Sequence, residues 1–253
     1  MDESLAHRLA ELTNEFYASV HASFSSTRRG AWPGWGRCLR QAAGLASADG
    51  LHLLDVACGN LRLEDYLAST LEPLALSVDA CDACDALVPA RDGVRFFHLD
   101  AIDVLFSRDS LEDRLAEQAP WPADLTACFG FLHHVPLREQ REDLLEALVG
   151  RTRPGGLVCI SFWRFLEDDR LARQADASTR RACTELGIEL EDAHDRLLGW
   201  QNRPGVFRYC HSFTDEEVDG LAARLAPRAE VADRFCADGR TGALNRYLVL
   251  RRR

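Results

Sequence analysis

Residues 53 to 60, Leu-Leu-Asp-Val-Ala-Cys-Gly-Asn, join a short apolar run to an acid, two small residues, a glycine and a polar turn residue. An apolar run of this length suits a strand buried on both faces of a parallel sheet, and Gly59 permits a tight turn into a helix. Open α/β sheets bind ligands at the carboxyl ends of their strands, which makes Asp55, Ala57 and Gly59 candidate contacts. A second apolar run, Leu76-Ser77-Val78-Asp79, also ends in an acid, 20 residues beyond Gly59. That spacing suits a carboxylate accepting hydrogen bonds from a ribose diol. A pyrophosphate turn needs G-x-G-x-x-G so that bare backbone can approach the phosphates. Here Asn60, Leu61 and Arg62 follow Gly59, which disfavours a dinucleotide.

The elements that would carry these residues follow from hydrophobic periodicity. Leu5, Leu9, Leu12, Phe16, Val20 and Phe24 form the stripe of an amphipathic helix, and Trp32-Pro33-Gly34-Trp35 starts a second helix running to about Ala46. Strands are expected at 51–57, 74–79, 94–98, 124–129 and 156–162, alternating with helices at 62–70, 109–118 and 137–151. Such alternation implies right-handed crossovers and a mainly parallel sheet. The charged segment 167–199 reads as helical, 205–211 as a strand, and Thr214 as the N-cap of a helix over 215–225. Strands from Ala229 and over 244–251 flank the loop Asp238-Gly239-Arg240-Thr241-Gly242, so the sheet should close with an antiparallel hairpin.

Composition narrows the class. The chain has 253 residues, 47% hydrophobic content and a net charge of −10, enough for one good core and contrary to a surface coated in nucleic-acid-binding charge. All 30 basic residues are arginine, which fits GC-rich codon usage. No apolar run reaches about 18 residues and the amino terminus is polar, so the expectation is a cytoplasmic protein with neither a membrane span nor a signal peptide. The nine cysteines read as reduced thiols, several of them small hydrophobes in strands. Cys81-Asp82-Ala83-Cys84 has C-x-x-C spacing but no second pair, and no metal is expected.

With its first motif in the form acid-x-small-Cys-Gly, the chain resembles the class I S-adenosylmethionine-dependent methyltransferases. His98-Leu99-Asp100-Ala101 after a third strand, Ala123 to Leu132 as a fourth, and Arg153-Pro154-Gly155-Gly156 before a fifth agree in order and spacing. The resemblance implies a Rossmann-like α/β fold with a mainly parallel seven-stranded sheet and an antiparallel final hairpin. One domain is expected over 1–253, with an N-terminal helical cap (1–46), a cofactor-binding core (47–166), a helical insertion (167–203) and the C-terminal part of the sheet (204–253). It also implies S-adenosylmethionine as cofactor. Asp55 would face its ammonium or instead cap the following turn, Gly59 would offer backbone, and Asp79 would hold the ribose hydroxyls. Ala80 and Cys81 would flank the adenine, Asp100 with Ala101 would meet its amino group, and Phe129 with Gly130 would line the opening towards the methyl acceptor.

Further pieces resemble the eukaryotic tRNA wobble-uridine carboxymethyl methyltransferases. They are Phe24-Ser25-Ser26-Thr27-Arg28 followed by Trp32, His133-His134 with Arg138 and Arg141, Trp163, and Trp200 followed by Arg208-Tyr209-x-His211-x-Phe213 and Glu217. The chain departs from that family at Leu61-Arg62, where a second glycine is usual, and at Val135-Pro136, and it reads as a divergent bacterial relative. The resemblance implies methyl transfer to a tRNA carboxylate and a small activator protein as partner. A carboxylate acceptor is already ionised, so catalysis needs alignment and desolvation more than a base. Arginine suits that work, since its fork grips a carboxylate in two hydrogen bonds. Arg28 would serve the acceptor or the cofactor's own carboxylate, or be a surface cation beside Arg29. His134 would orient the acceptor or act as base, with Arg138, Arg208, Tyr209 and His211 on the acceptor side and His133 structural. Trp32, Trp35, Trp163 and Trp200 offer faces for a base or for the core. Two other readings stand beside this one: a small-molecule O- or N-methyltransferase, including one for an acidic small molecule, and a non-catalytic S-adenosylmethionine-binding protein.

Overall fold

A computed structural model describes residues 1–253 except Arg29, Ala48, Asp49 and Pro73, so Arg29, the neighbour of Arg28, lies outside the described residues. The elements in chain order are α1 (Glu3–Ser26), α2 (Pro33–Ala42), β1 (Leu51–Val56), α3 (Arg62–Leu71), β2 (Leu76–Asp82), β3 (Val94–His98), α4 (Ala101–Ser107), α5 (Leu111–Gln118), β4 (Ala123–Cys128), α6 (Arg138–Arg151), β5 (Thr152–Trp163), α7 (Asp169–Leu186), β6 (Asp195–Gly199), β7 (Phe207–His211), α8 (Asp215–Leu225), β8 (Ala229–Ala237) and β9 (Asn245–Arg252). Seven strands form one sheet in the order β3-β2-β1-β4-β5-β9-β8. The first five pair in parallel, and β9 runs antiparallel between β5 and β8, as the sequence predicts.

Alternation along the strands sorts the core into two layers. Leu54, Val56, Val158, Ile160, Leu248 and Leu250 pack with Leu144, Leu145 and Leu148 of α6 and Val218 and Leu221 of α8. On the other face Leu53, Leu125, Leu157 and Val249 meet Trp35 and Leu39 of α2 and Leu63 and Leu67 of α3. Strands buried on both faces explain the unbroken apolar run at β1. Helix α8 starts as expected, with Thr214 and Glu217 forming a reciprocal capping box whose loss would cost ~1 kcal/mol.

Three expectations change. The second strand runs to Asp82, three residues past Asp79, because Ala80 and Cys81 are small enough to stay in the buried sheet. The segment 167–203 is only half helical, since Asp195–Gly199 is a strand. The strand at 207–211 pairs with it as a separate two-stranded sheet and is not part of the C-terminal half of the main sheet. This small unit also explains the amino-terminal helix: Leu9 and Leu12 of α1 pack on Leu197, Phe207 and Tyr209 of the hairpin and on Ala182 of α7. Helix α1 is thereby fixed above the carboxyl ends of the strands, where a ligand is expected.

Candidate active site

A cavity of about 1320 Å³ opens at the carboxyl ends of β1, β2 and β4, roofed by α1 and closed on one side by the α2 start and the loop before β9. Single small-ligand pockets run to roughly 300–1,000 Å³, so a cofactor and an acceptor fit together. Asp55, Ala57, Gly59, Asp100, Ala101, Phe129 and Gly130 all line it. Gly59 has φ +56, a left-handed conformation that glycine adopts at least cost.

Asp79, Ala80 and Cys81 do not line the cavity. Asp79 lies mid-strand, where His52 Nε2 (3.0 Å) and Arg95 Nε (2.8 Å) bond its carboxylate, and the other two are buried in the sheet. The acid at the strand end is Asp82. Its Oδ2 accepts the Gly59 N–H at 2.9 Å and its Oδ1 the Cys84 N–H at 2.8 Å, which ties the turn after β1 to that after β2. Each oxygen keeps a lone pair for a ligand. Ala83 and Cys84 take the cavity positions expected of Ala80 and Cys81. Asp100 caps α4 through the Ile102 and Asp103 N–H groups and accepts Asn14 Nδ2 at 2.6 Å, so it anchors α1 as well as lining the site.

On the opposite wall, α1 places Tyr17 and the start of β7 places Arg208. Arg208 Nη1 donates to the Tyr17 hydroxyl (3.1 Å), which sits 2.9 Å from His134 Nε2, and His134 Nδ1 lies 2.7 Å from the Tyr209 carbonyl. A carbonyl only accepts, so Nδ1 carries the hydrogen and Nε2 accepts from Tyr17. Burial and the Arg208 charge push His134 down to about 3, which keeps it neutral. With both nitrogens committed, His134 acts through Tyr17 as a positioning residue. His133 also lines the cavity, and its Nδ1 is buried without a hydrogen-bond partner. His133, His134 and Cys210 could offer ligand atoms to a metal, but only by breaking a hydrogen bond of His134.

Arg28 lines the cavity with its guanidinium 3.5 Å above the Phe24 ring, and Arg208 lies 5.4 Å from the same ring. Burial and Arg208 lower Arg28 to about 10. Arg28 Nη1 donates to Thr27 Oγ1, Arg208 Nε has no partner, and no carboxylate pairs with either arginine among the described residues. Asn60 secures this loop by donating to Ser25 Oγ (2.9 Å) and the Arg28 carbonyl (3.2 Å). Arg62, the residue after Leu61, lines the cavity and donates to Asn60 Oδ1 and the Gly30 carbonyl.

Arg138 and His211 are not brought to the site. Arg138 is exposed on α6 and pairs with Glu142 at 3.2 Å. His211 is buried between Asp195 (2.7 Å) and Glu217 (2.8 Å), where it fastens the hairpin to α8. Tyr209 is likewise structural, donating to Asp195 at 2.6 Å. Trp32, Trp35 and Trp163 line the cavity, whereas Trp200 packs on Phe24 and donates to Ser23 Oγ. The sequence reading missed Tyr17, Asp82 and Arg62. For Asp82 a signal existed, the small residues Ala80 and Cys81 that extend the strand.

No sequence-family model matches the chain. The crystal structure of Burkholderia thailandensis 1,6-didemethyltoxoflavin-N1-methyltransferase with bound 1,6-didemethyltoxoflavin and S-adenosylhomocysteine aligns at TM-score 0.55 and 17% identity, over 97% of this chain and 89% of that one. This is the class I fold of the S-adenosylmethionine-dependent methyltransferases. A tRNA (carboxymethyluridine(34)-5-O)-methyltransferase of Arabidopsis thaliana is 28% identical over 156 residues, 60% of this chain and 33% of the relative. A ubiquinone biosynthesis O-methyltransferase of Xylella fastidiosa (strain M23) is 33% identical over 116 residues, 46% of this chain and 43% of the relative. The likeness thus spans a third to under half of these relatives. Residues of the class I turn fit the cofactor: a buried Asp55 with no paired cation among the described residues, and Asp82 with free acceptor capacity facing the cavity. No described helix is long and apolar enough to cross a membrane.

Proposed function

We propose that the chain is an S-adenosylmethionine-dependent O-methyltransferase acting on a carboxylate, with the carboxymethyl group of a tRNA wobble uridine as acceptor. The observation that carries this reading is the pair Arg28 and Arg208, two guanidiniums beside one ring in one cavity with no acid paired to either among the described residues. Unpaired buried charge costs several kcal/mol, and an anionic acceptor would repay it. When bound, the cofactor supplies an electrophilic methyl on a sulfonium.

Asp82 would hold the ribose, Asp55 the ammonium, and the Gly59 turn the amino-acid end. Arg28 and Arg208 would grip the acceptor carboxylate and leave one oxygen in line with the methyl carbon. Held by Asp82, Asp55 and the Gly59 turn, the cofactor would supply the methyl to that oxygen with its carbon–sulfur bond as the one broken, leaving S-adenosylhomocysteine as product. No proton moves, so no base is required. Tyr17 and His134 hold the Arg208 fork still, and the aromatic walls exclude water.

A small acidic molecule is the second reading, favoured by the net charge of −10. Labelled cofactor, offered with total tRNA and with a metabolite extract at two salt concentrations, tests both. Label in tRNA that falls steeply as salt rises supports the tRNA acceptor, since phosphate contacts release counterions. Label only in small molecules, indifferent to salt, assigns the acid, and label in neither contradicts the reading.

A further inference from the structure

Beneath the cofactor end of the cavity lie two acids that should repel. Asp55 ends β1 and lines the cavity, while Glu64 stands in the first turn of α3, and both are almost fully buried. Their carboxyls face each other within interaction range, yet among the described residues neither Glu64 oxygen meets a hydrogen-bond donor. Two carboxyls satisfy each other only if one of them carries a hydrogen. Among the described residues the titratable groups around the pair give no relief: Asp82 on β2 and the thiols Cys58 and Cys128 add negative or neutral character. Asp65 also repels, and Arg91 is engaged by Asp65.

We propose that Asp55 and Glu64 are a proton-sharing pair that presents a single negative charge to the ammonium of the cofactor, with Glu64 as the positioning member. The inference rests on the cofactor reading given above. Burial of both groups and their mutual repulsion raise the Asp55 carboxyl well above its usual range, as a retained proton requires. One ammonium against a pair of charge −1 leaves no net charge in the dry base of the site. Two ionised carboxylates would leave one unbalanced. In the sequence Glu64 carries no signal beyond its place in the helix expected over 62–70.

The test is binding of S-adenosylhomocysteine to the full chain by calorimetry at pH 7, with folding checked by circular dichroism. Glu64→Gln keeps a hydrogen donor to Asp55 and should bind within about twofold of the wild type, with the same affinity profile between pH 6 and 8. Glu64→Leu keeps the volume and removes the donor, and should bind about tenfold or more weakly. A large loss in Glu64→Gln would mean that Glu64 works as a charge, and an unchanged Glu64→Leu would mean that it does nothing for the ligand. Either result overturns the proposal. If the wild type binds no S-adenosylhomocysteine, the cofactor reading fails too. Binding with the wrong order of variants defeats the pair alone.

Discussion

Tyr17 on α1 donates its hydroxyl hydrogen to His134 Nε2 across 2.9 Å, and this bond joins the amino-terminal helix to the turn after β4. The same hydroxyl accepts from Arg208. The guanidinium is therefore aimed by a phenol that a histidine holds in place.

Tyr17→Phe removes that hold and little else. A hydrogen bond to a charged group is worth ~1.5–3 kcal/mol, so kcat/KM should fall about 10- to 100-fold with cofactor affinity unchanged. Steady-state kinetics beside calorimetry checks this. Unaltered turnover would mean that the bond only stabilises the roof.

Arg208→Met should separate stability from activity. A buried cation without a counter-charge costs stability, and an apolar residue of similar length removes that cost. Denaturant midpoints should be equal or higher in the variant while turnover falls at least about 100-fold. A clearly destabilised variant would show that Arg208 serves the fold.

The two acids of β2 should behave oppositely. Asp82→Ala should weaken S-adenosylhomocysteine by ~1–3 kcal/mol, through loss of an acceptor and of the Gly59 tether. Asp79→Ala should leave affinity nearly intact but lower stability, since it strands His52 and Arg95. Calorimetry and urea melts on both variants distinguish the roles, and an exchange of outcomes would return the ribose to Asp79.

Most of the fold was legible because strands buried on both faces write continuous apolar runs and because α8 begins at a capping box. Asp55, Gly59, Asp100, Arg28, His134 and Arg208 were legible as cavity residues from motif position. Asp79 misled because Leu76 to Val78 looks like a finished strand, while Ala80 and Cys81 continue it without a visible apolar signature. Tyr17 was hidden because an aromatic on the apolar stripe of a helix reads as core, and its partners lie 117 and 191 residues away. His211 and Arg138 carry the right chemistry, but no local pattern shows that one is consumed by Asp195 and Glu217 and the other faces solvent.

The His211 clasp predicts a pH dependence of stability. Burial opposes its charge, but the hydrogen bonds to Asp195 and Glu217 outweigh that and raise it above its ordinary value of 6.5. Its contribution should be complete below about pH 6.5 and fade as pH rises through the raised folded value. Urea denaturation should show the wild type losing stability from pH 6 to 9 and His211→Ala losing much less. Parallel curves would mean that the imidazole is neutral in the fold.

The central claim is that the methyl group lands on a carboxylate held by Arg28 and Arg208. The most direct measurement is the alkali lability of the product, with label transferred from the cofactor and the volatile fraction counted after mild base. A methyl ester releases its label as methanol, and Arg28→Ala and Arg208→Met should abolish that release. Label that stays bound through base treatment, as in an ether or a methylamine, would contradict the account.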